Sequence, residues 1–444
     1  MRNPRNRELA LLAAAILLTG AMYALASLGR NAEIPSDLWS FLGVITGLLL
    51  FAHVVLRKVA PNADPTLLPL VALLNGVGYV FIARLSGDLG NGEGLPRQQA
   101  LWTAVGIAAF TVTLVVVRRT KLLDSYRYLA GIIGLGLLVL PLIPGIGREV
   151  NSARIWVRLG PISFQPAEFA KLALAVFIAS TLAEKAGLLR VARRKVGPLL
   201  IPEPKHLAPV LGAWALSIVV MVAEKDLGSS LLLILVVVTM LWISTGHLTY
   251  LALGLGMFIT GGWIASRIFG HVEDRIAIWL HPFDDPNGIG FQPVQAAFAL
   301  AEGGLAGTGL GRGEPTRIPE VETDFIFAAI GEELGLLGSA AVLVAFVLLV
   351  GTGFRIALGV KDPFAKLLAT ALSALIGFQA FIIIGGIIRI VPLTGITLPF
   401  VSYGGSSLVS NYVLVALLLR ISDEAVIRPD RSSGADAQAM EKAA

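Results

Sequence analysis

The run Leu227–Thr245 (LGSSLLLILVVVTMLWIST) contains no charged residue. Roughly 20 predominantly apolar residues cross the hydrocarbon core of a bilayer as a helix, and this run meets that length. The same test applied outward finds further runs near Leu9–Leu28, Trp39–Leu56, Thr66–Ala83, Ala100–Val117, Tyr128–Leu142, Ala167–Leu182 and Leu207–Ala223, then Leu248–Ser266, Phe325–Val350, Ala365–Ile388 and Leu398–Ile421. The expected fold class is all-α, a polytopic membrane protein of about twelve transmembrane helices. Composition agrees: of 444 residues 55% are hydrophobic and 15% charged, and mean hydropathy is +0.78, outside the soluble range.

Orientation follows from the basic residues, because cytoplasmic loops carry an excess of Lys and Arg. With both termini in the cytoplasm, the inner loops collect most of the 35 Lys and Arg, among them Arg2, Arg5, Arg7, Arg57, Lys58, Arg118, Arg119, Lys121, Arg190, Arg193, Arg194 and Lys195. A single missed helix would scramble that bias. The net charge of +5 and pI near 9.5 are accounted for by the same rule, so no nucleic-acid partner is expected. Arg2 to Leu28 has the basic start and small-residue Ala24-Leu25-Ala26 of a signal peptide, yet its apolar run is of spanning length and is expected to stay as the first helix. Without cysteine there is no disulfide or thiolate metal site. No internal repeat argues for two homologous halves, a pattern common in transporters. The polar tail, 422–444, is expected to be disordered and cytoplasmic.

The longest segment outside the spans, 267–323, opens with His271, Glu273, Asp274, Arg275, Trp279 and His281 and turns at Asp284-Asp285-Pro286-Asn287-Gly288. A mildly apolar stretch, Val294 to Leu305, suits a helix lying along the membrane surface. The segment then becomes glycine-rich, with Gly303, Gly304, Gly307, Gly309, Gly311 and Gly313. So much glycine suits a loop that adapts to an extended ligand; a plain flexible connector is the alternative, although connectors are seldom this long.

Next comes Ile318-Pro319-Glu320-Val321-Glu322-Thr323-Asp324-Phe325-Ile326-Phe327-Ala328, with acidic groups at the mouth of a helix that runs into the bilayer. A carboxylate at Asp324 beside Phe325 and Phe327 would be partly desolvated, which raises its pKa toward that of a general base. An N-terminal cap or a favourable charge at the helix dipole fits the position equally well. Glu168 and Lys171, in Gln165-Pro166-Ala167-Glu168-Phe169-Ala170-Lys171, share one helix face and can pair. Intramembrane charges usually face a bundle interior or a wet cavity, and a purely structural pair is the alternative. Asp226, in Glu224-Lys225-Asp226-Leu227-Gly228-Ser229-Ser230, opens a helix on the same side and could be only a cap. Arg154 suits phosphate, and Trp156 suits a sugar face or the headgroup zone. Pro399-Phe400-Val401-Ser402-Tyr403-Gly404-Gly405-Ser406-Ser407 interrupts an apolar stretch with hydroxyls, and broken backbone at membrane depth is tolerated only where protein or a water-filled cavity covers it. His53, alone on an apolar helix, is read as structural. In the deduced topology all five groups lie at outer helix ends, where they can converge on one site.

Taken together, Gln165-Pro166-Ala167-Glu168 with Lys171, Asp226-Leu227-Gly228, Pro319 to Ala328, Gly331-Glu332-Glu333-Leu334-Gly335 and Pro399 to Ser407 resemble the motifs of the SEDS family of RodA and FtsW, over about Leu129 to Ile421. The resemblance implies a multi-pass protein of the bacterial plasma membrane, a peptidoglycan glycosyltransferase. Such an enzyme polymerises lipid II, the undecaprenyl-diphosphate-linked disaccharide pentapeptide, into glycan strands on the outer face of the membrane during growth or division. The resemblance also implies inversion at the anomeric carbon and a class B penicillin-binding protein as partner. It makes Asp324 the catalytic residue and places Arg154, Trp156, Glu168, Lys171, Asp226, Thr323, Ser402, Tyr403 and Ser406 at the substrate. The diphosphate leaving group would be neutralised by Arg154, Lys171 or a divalent ion such as Mg or Mn.

Members of that family commonly have about ten spanning helices. Here two more precede them, dividing the chain into an N-terminal transmembrane extension (1–86), a catalytic core (87–421) and the tail (422–444). Glu224-Lys225, standing where Gln-Pro commonly precedes Asp-Leu-Gly, is similar to the elongation-type RodA of actinobacteria rather than to FtsW. A lipid II flippase is the alternative activity, since intramembrane charge and a hydroxyl-lined break also suit translocation. A non-catalytic scaffold would leave the buried Glu168 and Lys171 without a role.

Overall fold

The computed structural model describes residues 4–427, apart from 90, 91, 93, 151, 152, 161, 192, 197, 198 and 203. Its helices are α1 (Pro4–Asn31), α2 (Leu38–Val59), α3 (Leu67–Ser86), α4 (Leu95–Val116), α5 (Lys121–Ser125), α6 (Arg127–Val139), α7 (Ala167–Val191) and α8 (Pro204–Ala223), then α9 (Leu227–Thr245), α10 (Thr249–Ile268), α11 (Gly270–Leu280), α12 (Phe291–Gly303), α13 (Ile326–Gly359), α14 (Pro363–Ile387) and α15 (Gly405–Ile427). A helix stands in every expected span. Among the described residues nine are long and apolar enough to cross a membrane; α6 and α8 are shorter apolar helices, and α7 fills the span expected at 167–182. The polytopic all-α fold is therefore as expected.

Three features differ from the expectation. Strands β1 (Gly147–Val150), β2 (Ala153–Leu159) and β3 (Ile162–Phe164) form an antiparallel sheet between α6 and α7, and β4 (Arg193–Val196) pairs with β5 (Leu199–Pro202) between α7 and α8. The last helix runs on to Ile427, where a disordered tail was expected from 422; residues 428–444 lie outside the described residues. Leu398 to Gly404, expected as the start of the last span, is not helical, and α15 begins at Gly405.

Local chemistry sets the helix ends that position the site. Asp226 caps α9, its Oδ1 accepting from the Ser229 amide at 2.9 Å, and Gly246 ends that helix with φ +76°. Asp362 caps α14 in the same way, accepting from the Ala365 amide at 3.0 Å, with Pro363 at the first helical position. α14 sits in the interior against α7, α9, α13 and α15, and α3 and α15 are also mostly buried. By contrast α10 packs on α9 and α11 and leaves nearly its whole apolar surface outward, as a lipid-facing helix does.

Buried charge ties the opposite end of the bundle. Arg420 of α15 donates to the carbonyls of Val117 (2.8 Å), Leu114 (2.6 Å) and Val59 (3.0 Å), satisfying the open C-terminal carbonyls of α2 and α4. Glu8 of α1, fully buried, accepts from Arg5 and lies within hydrogen-bond distance, 2.6 Å, of His53 Nδ1 of α2, so His53 is structural through a polar partner on another helix. Removing one member of a buried charge set leaves the others uncompensated. Glu8→Ala is therefore expected to lower stability by about 3–5 kcal/mol, read as a fall in the thermal unfolding midpoint of the detergent-solubilised protein.

Candidate active site

Asp324 lies in the loop just ahead of α13, half-buried, on the wall of a cavity of about 200 Å³. The opposite walls come from α11 (Arg275, Trp279), from the start of α12 (Gln292) and from the end of α14 and the segment after it (Arg389, Leu393 to Ile396). Gly395 has φ +71°, and a Cβ placed on it would lie 3.4 Å from Asp324 Oδ2 and 3.8 Å from Arg275 Nη2. The carboxylate and the guanidinium therefore flank one bare stretch of backbone, whose left-handed conformation favours glycine.

Burial, followed by the neighbouring Glu320 carboxylate, pushes the Asp324 carboxyl up to about 6, opposed by Arg275 and by the Thr323 hydroxyl. Burial lowers the Arg275 guanidinium, and Asp226 and then Asp324 hold it up. Arg275 Nη1 also donates to the carbonyls of Leu393 (3.3 Å) and Thr394 (3.0 Å), so it shapes the wall as well as charging it. Arg389, with φ +63°, donates from Nη2 to the carbonyls of Trp279 (3.2 Å) and Leu280 (3.4 Å), and its own carbonyl accepts from Trp279 Nε1 at 3.0 Å. These reciprocal bonds fasten α11 to the end of α14, and the Arg389 Nε is left buried without a protein partner. Arg389 played no part in the sequence argument, and Arg275 and Trp279 figured there only as members of a long loop.

The other expected residues stand around this cavity in different ways. Asp226 is buried next to Arg275 and Glu168; burial is the main cause of its raised pKa, and its Oδ2 has no partner. Beside it Glu224 is pushed up to about 8, first by burial and then by Asp226. Glu168 and Lys171 pair at 2.7 Å in the interior. Lys171 Nζ also donates to Gln379 Oε1 (2.8 Å), Gln379 Nε2 donates to the Thr397 carbonyl (2.8 Å), and Ser410 Oγ donates to Glu168 (3.0 Å). The pair is thus wired to the segment that forms the cavity wall. Ser402 Oγ donates to the Thr323 carbonyl (2.5 Å) and accepts from the Leu398 amide (2.9 Å); the Tyr403 amide donates to the Glu322 carbonyl (2.8 Å); and Ser406 Oγ accepts from the Gln165 amide (3.0 Å). Ser402 and the Tyr403 amide join the broken stretch to the Asp324 loop, Ser406 joins it to the segment ahead of α7, and none of the three lines the cavity. Arg154 is exposed on β2, its amide donating to the Glu224 carbonyl (3.1 Å), and Trp156 is half-buried on the same strand; neither lines the cavity.

The glycine-rich loop is packed rather than free. The amides of Thr308 and Gly309 donate to the carbonyls of Glu332 (2.9 Å) and Glu333 (3.0 Å), and those of Leu336 and Leu337 donate back to Gly304 (2.9 Å) and Leu305 (3.2 Å). α13 breaks there at Gly335, with φ +66°. Glycines at 307 and 335 permit this backbone-to-backbone contact. Among the described residues no group of three or more His, Cys, Asp or Glu side chains could hold a metal ion; the cavity wall itself carries Arg275 and Arg389.

A family model for FtsW, RodA and SpoVE, described as cell cycle protein, matches residues 65–426. It begins ahead of α3, so α1 and α2 precede the matched region. The chain is 44% identical over 425 residues to the peptidoglycan glycosyltransferase RodA of Mycobacterium tuberculosis (strain ATCC 25618 / H37Rv), covering 94% of this chain and 90% of that one. That span leaves too few residues outside it to omit both α1 and α2. Identity to the probable peptidoglycan glycosyltransferase FtsW of the same organism is 34% over 359 residues, 79% of this chain and 66% of that one. A solved structure described as "Structural coordination of polymerization and crosslinking by a peptidoglycan synthase complex" superposes with TM-score 0.56 at 24% identity, over 87% of this chain and 98% of that one, and speaks for the fold.

A methyl group on Gly228 of α9 would lie 2.4 Å from Ile396 Cγ2 and 3.1 Å from the Thr394 carbonyl oxygen, in the wall of the cavity. Gly228→Ala is expected to cost about 1–3 kcal/mol by overpacking, measured by thermal unfolding.

Proposed function

The chain belongs to the FtsW/RodA/SpoVE family, and from that premise we propose that it polymerises lipid II on the cavity that holds Asp324. It is an integral protein of the bacterial plasma membrane and a peptidoglycan glycosyltransferase, similar to RodA more than to FtsW. The observation that carries the catalytic reading is one carboxylate, pushed up to about 6, facing the same small cavity as two arginines.

In this mechanism Asp324 accepts the proton of the GlcNAc 4-hydroxyl as that oxygen attacks C1 of the donor MurNAc, inverting the α linkage to β and releasing the lipid diphosphate. A pKa near the working pH suits a general base, because it is largely ionised yet still basic enough to take the proton. The diphosphate leaves readily once its growing charge is met, and Arg275 and Arg389 are the cations at the cavity able to meet it. Asp226, buried beside Arg275, offsets the effect of burial on that guanidinium, and the Glu168–Lys171–Gln379 chain holds the segment through Thr397 that forms the wall. No step is assigned to a metal ion. We assign the partner as a class B penicillin-binding protein, which cross-links the strands made here; support comes from the solved peptidoglycan synthase complex with the same fold.

The test reconstitutes the protein with that partner, supplies labelled lipid II and adds penicillin, which silences cross-linking but not strand formation. Asp324→Asn is expected to lose about 10²–10⁴-fold in strand formation, the range for a removed general base, with membrane insertion and partner binding kept. Wild-type polymer from that variant ends the assignment, and lipid II crossing the bilayer without polymer would favour the flippase. Since the active form is the ionised carboxylate, turnover should be full well above pH 6 and fall about tenfold per pH unit below it. A kcat/KM profile flat from pH 5 to 7 would contradict the role of Asp324.

A further inference from the structure

The two helices that precede the family match do not stand apart from the core. The outer end of α1 lies against the glycine-rich loop: a Cβ on Gly29 would lie 1.9 Å from the Leu310 carbonyl oxygen, and one on Gly311, at φ +79°, would lie 2.1 Å from the Ala26 carbonyl oxygen. Arg30 Nη1 donates to the Arg84 carbonyl (3.0 Å), and its Nη2 pairs with Asp88. Asp88 in turn pairs with Arg84. From there Arg84 reaches the loop, donating from Nε to Glu333 Oε1 (2.7 Å) and from Nη2 to the Gly313 carbonyl (2.6 Å). Glu333, fully buried, spends its second oxygen on the Gly311 amide (2.9 Å), and Glu332 Oε1 accepts from the Glu314 amide (2.5 Å). An unbroken line of contacts therefore runs from the end of α1, through Asp88, Arg84 and Glu333, to the loop and the broken first turns of α13 that Asp324 precedes.

We propose that α1 is a positioning element for the catalytic loop, clamping residues 304–313 onto α13 through the backbone approach at Gly29 and through the Arg30 guanidinium. The proposal rests on Asp324 being the base. Neither Gly29 nor Arg30 lines the cavity, so neither touches substrate there. A clamp of this kind acts on turnover: it leaves the substrate pocket in place and loosens the carboxylate, and misplacement far from the chemistry can cost about a hundredfold in rate.

The experiment uses the full chain with its penicillin-binding partner in the polymerisation assay above, together with hydrogen exchange. Gly29→Ala, which drives a methyl into a backbone carbonyl, and the milder Arg30→Ala are compared with Gly47→Ala on α2, where a methyl meets nothing within 4 Å. The expected result is a kcat lowered about tenfold to a hundredfold in both α1 variants, with KM little changed, recovery of most of the loss by Arg30→Lys, and no change for Gly47→Ala. The Thr308, Gly309 and Gly311 amides should exchange faster in both α1 variants while those of α14 keep their rates. Wild-type kcat in both α1 variants, or unaltered exchange at 308–311, overturns the proposal. So does a rate loss in which α14 opens as much as the loop, since that is general unfolding. If Asp324→Asn polymerises normally, the reading beneath fails separately, and the exchange result still reports whether the clamp exists.

Discussion

Near hydrocarbon a backbone N–H or C=O has no water to turn to, and the end of the bundle that holds Asp324 is organised around that constraint. α13 cannot continue regularly through Gly335, so the groups freed at Glu332, Glu333, Leu336 and Leu337 must be met by another piece of backbone. The 304–309 segment meets them as a strand of loop laid along the break. This contact is possible only if both sides lack side chains at the crossing: a Cβ on Gly335 would lie 2.3 Å from the Gly307 nitrogen. The break after α14 is closed by the same logic, with Ser402 and the Tyr403 amide bonding the carbonyls of Thr323 and Glu322. Two irregular segments thus complete one another, and the Asp324 loop is the piece caught between them.

Charge is distributed around that loop in partial compensation. Burial raises Asp324 and lowers Arg275, while their mutual attraction works against both shifts. A closer cation would leave a weaker base, and removing the cation would raise the carboxyl further. The intermediate case leaves a carboxylate able to take a proton. Arg275 is kept from collapsing onto Asp324 by its bonds to Leu393 and Thr394, which use part of its donor fork on backbone.

The spanning helices were legible because a long apolar run has one outcome in a bilayer, whatever its neighbours. The sheet before α7 was also written in the chain, as Ala153, Ile155, Val157 and Leu159 alternate with Arg154, Trp156 and Arg158, with Val157 fully buried. A strand of that length is easily lost between two long helices. Asp324 was visible through its motif and its place at a helix mouth. Arg275 and Arg389 were not, because an arginine outside the spans has the same local sequence whether it points to water or into the protein; what distinguishes them is where α11 docks on the end of α14. The glycines misled for a related reason. Their density signals permissive backbone but does not say whether that freedom serves motion or close packing.

Gln379 is an amide between a cation and a carbonyl, and it faces them in a fixed sense, oxygen toward Lys171 and nitrogen toward Thr397. A side chain that accepts at one tip and donates at the other gives the relay from α7 to the cavity wall a direction. A carboxylate in its place would hold the lysine but repel the Thr397 carbonyl, a second lysine would do the reverse, and an apolar methionine of similar length would serve neither. Of the common side chains of that length, glutamine alone carries both ends, so this interior position tolerates little chemical drift although it touches none of the reacting atoms.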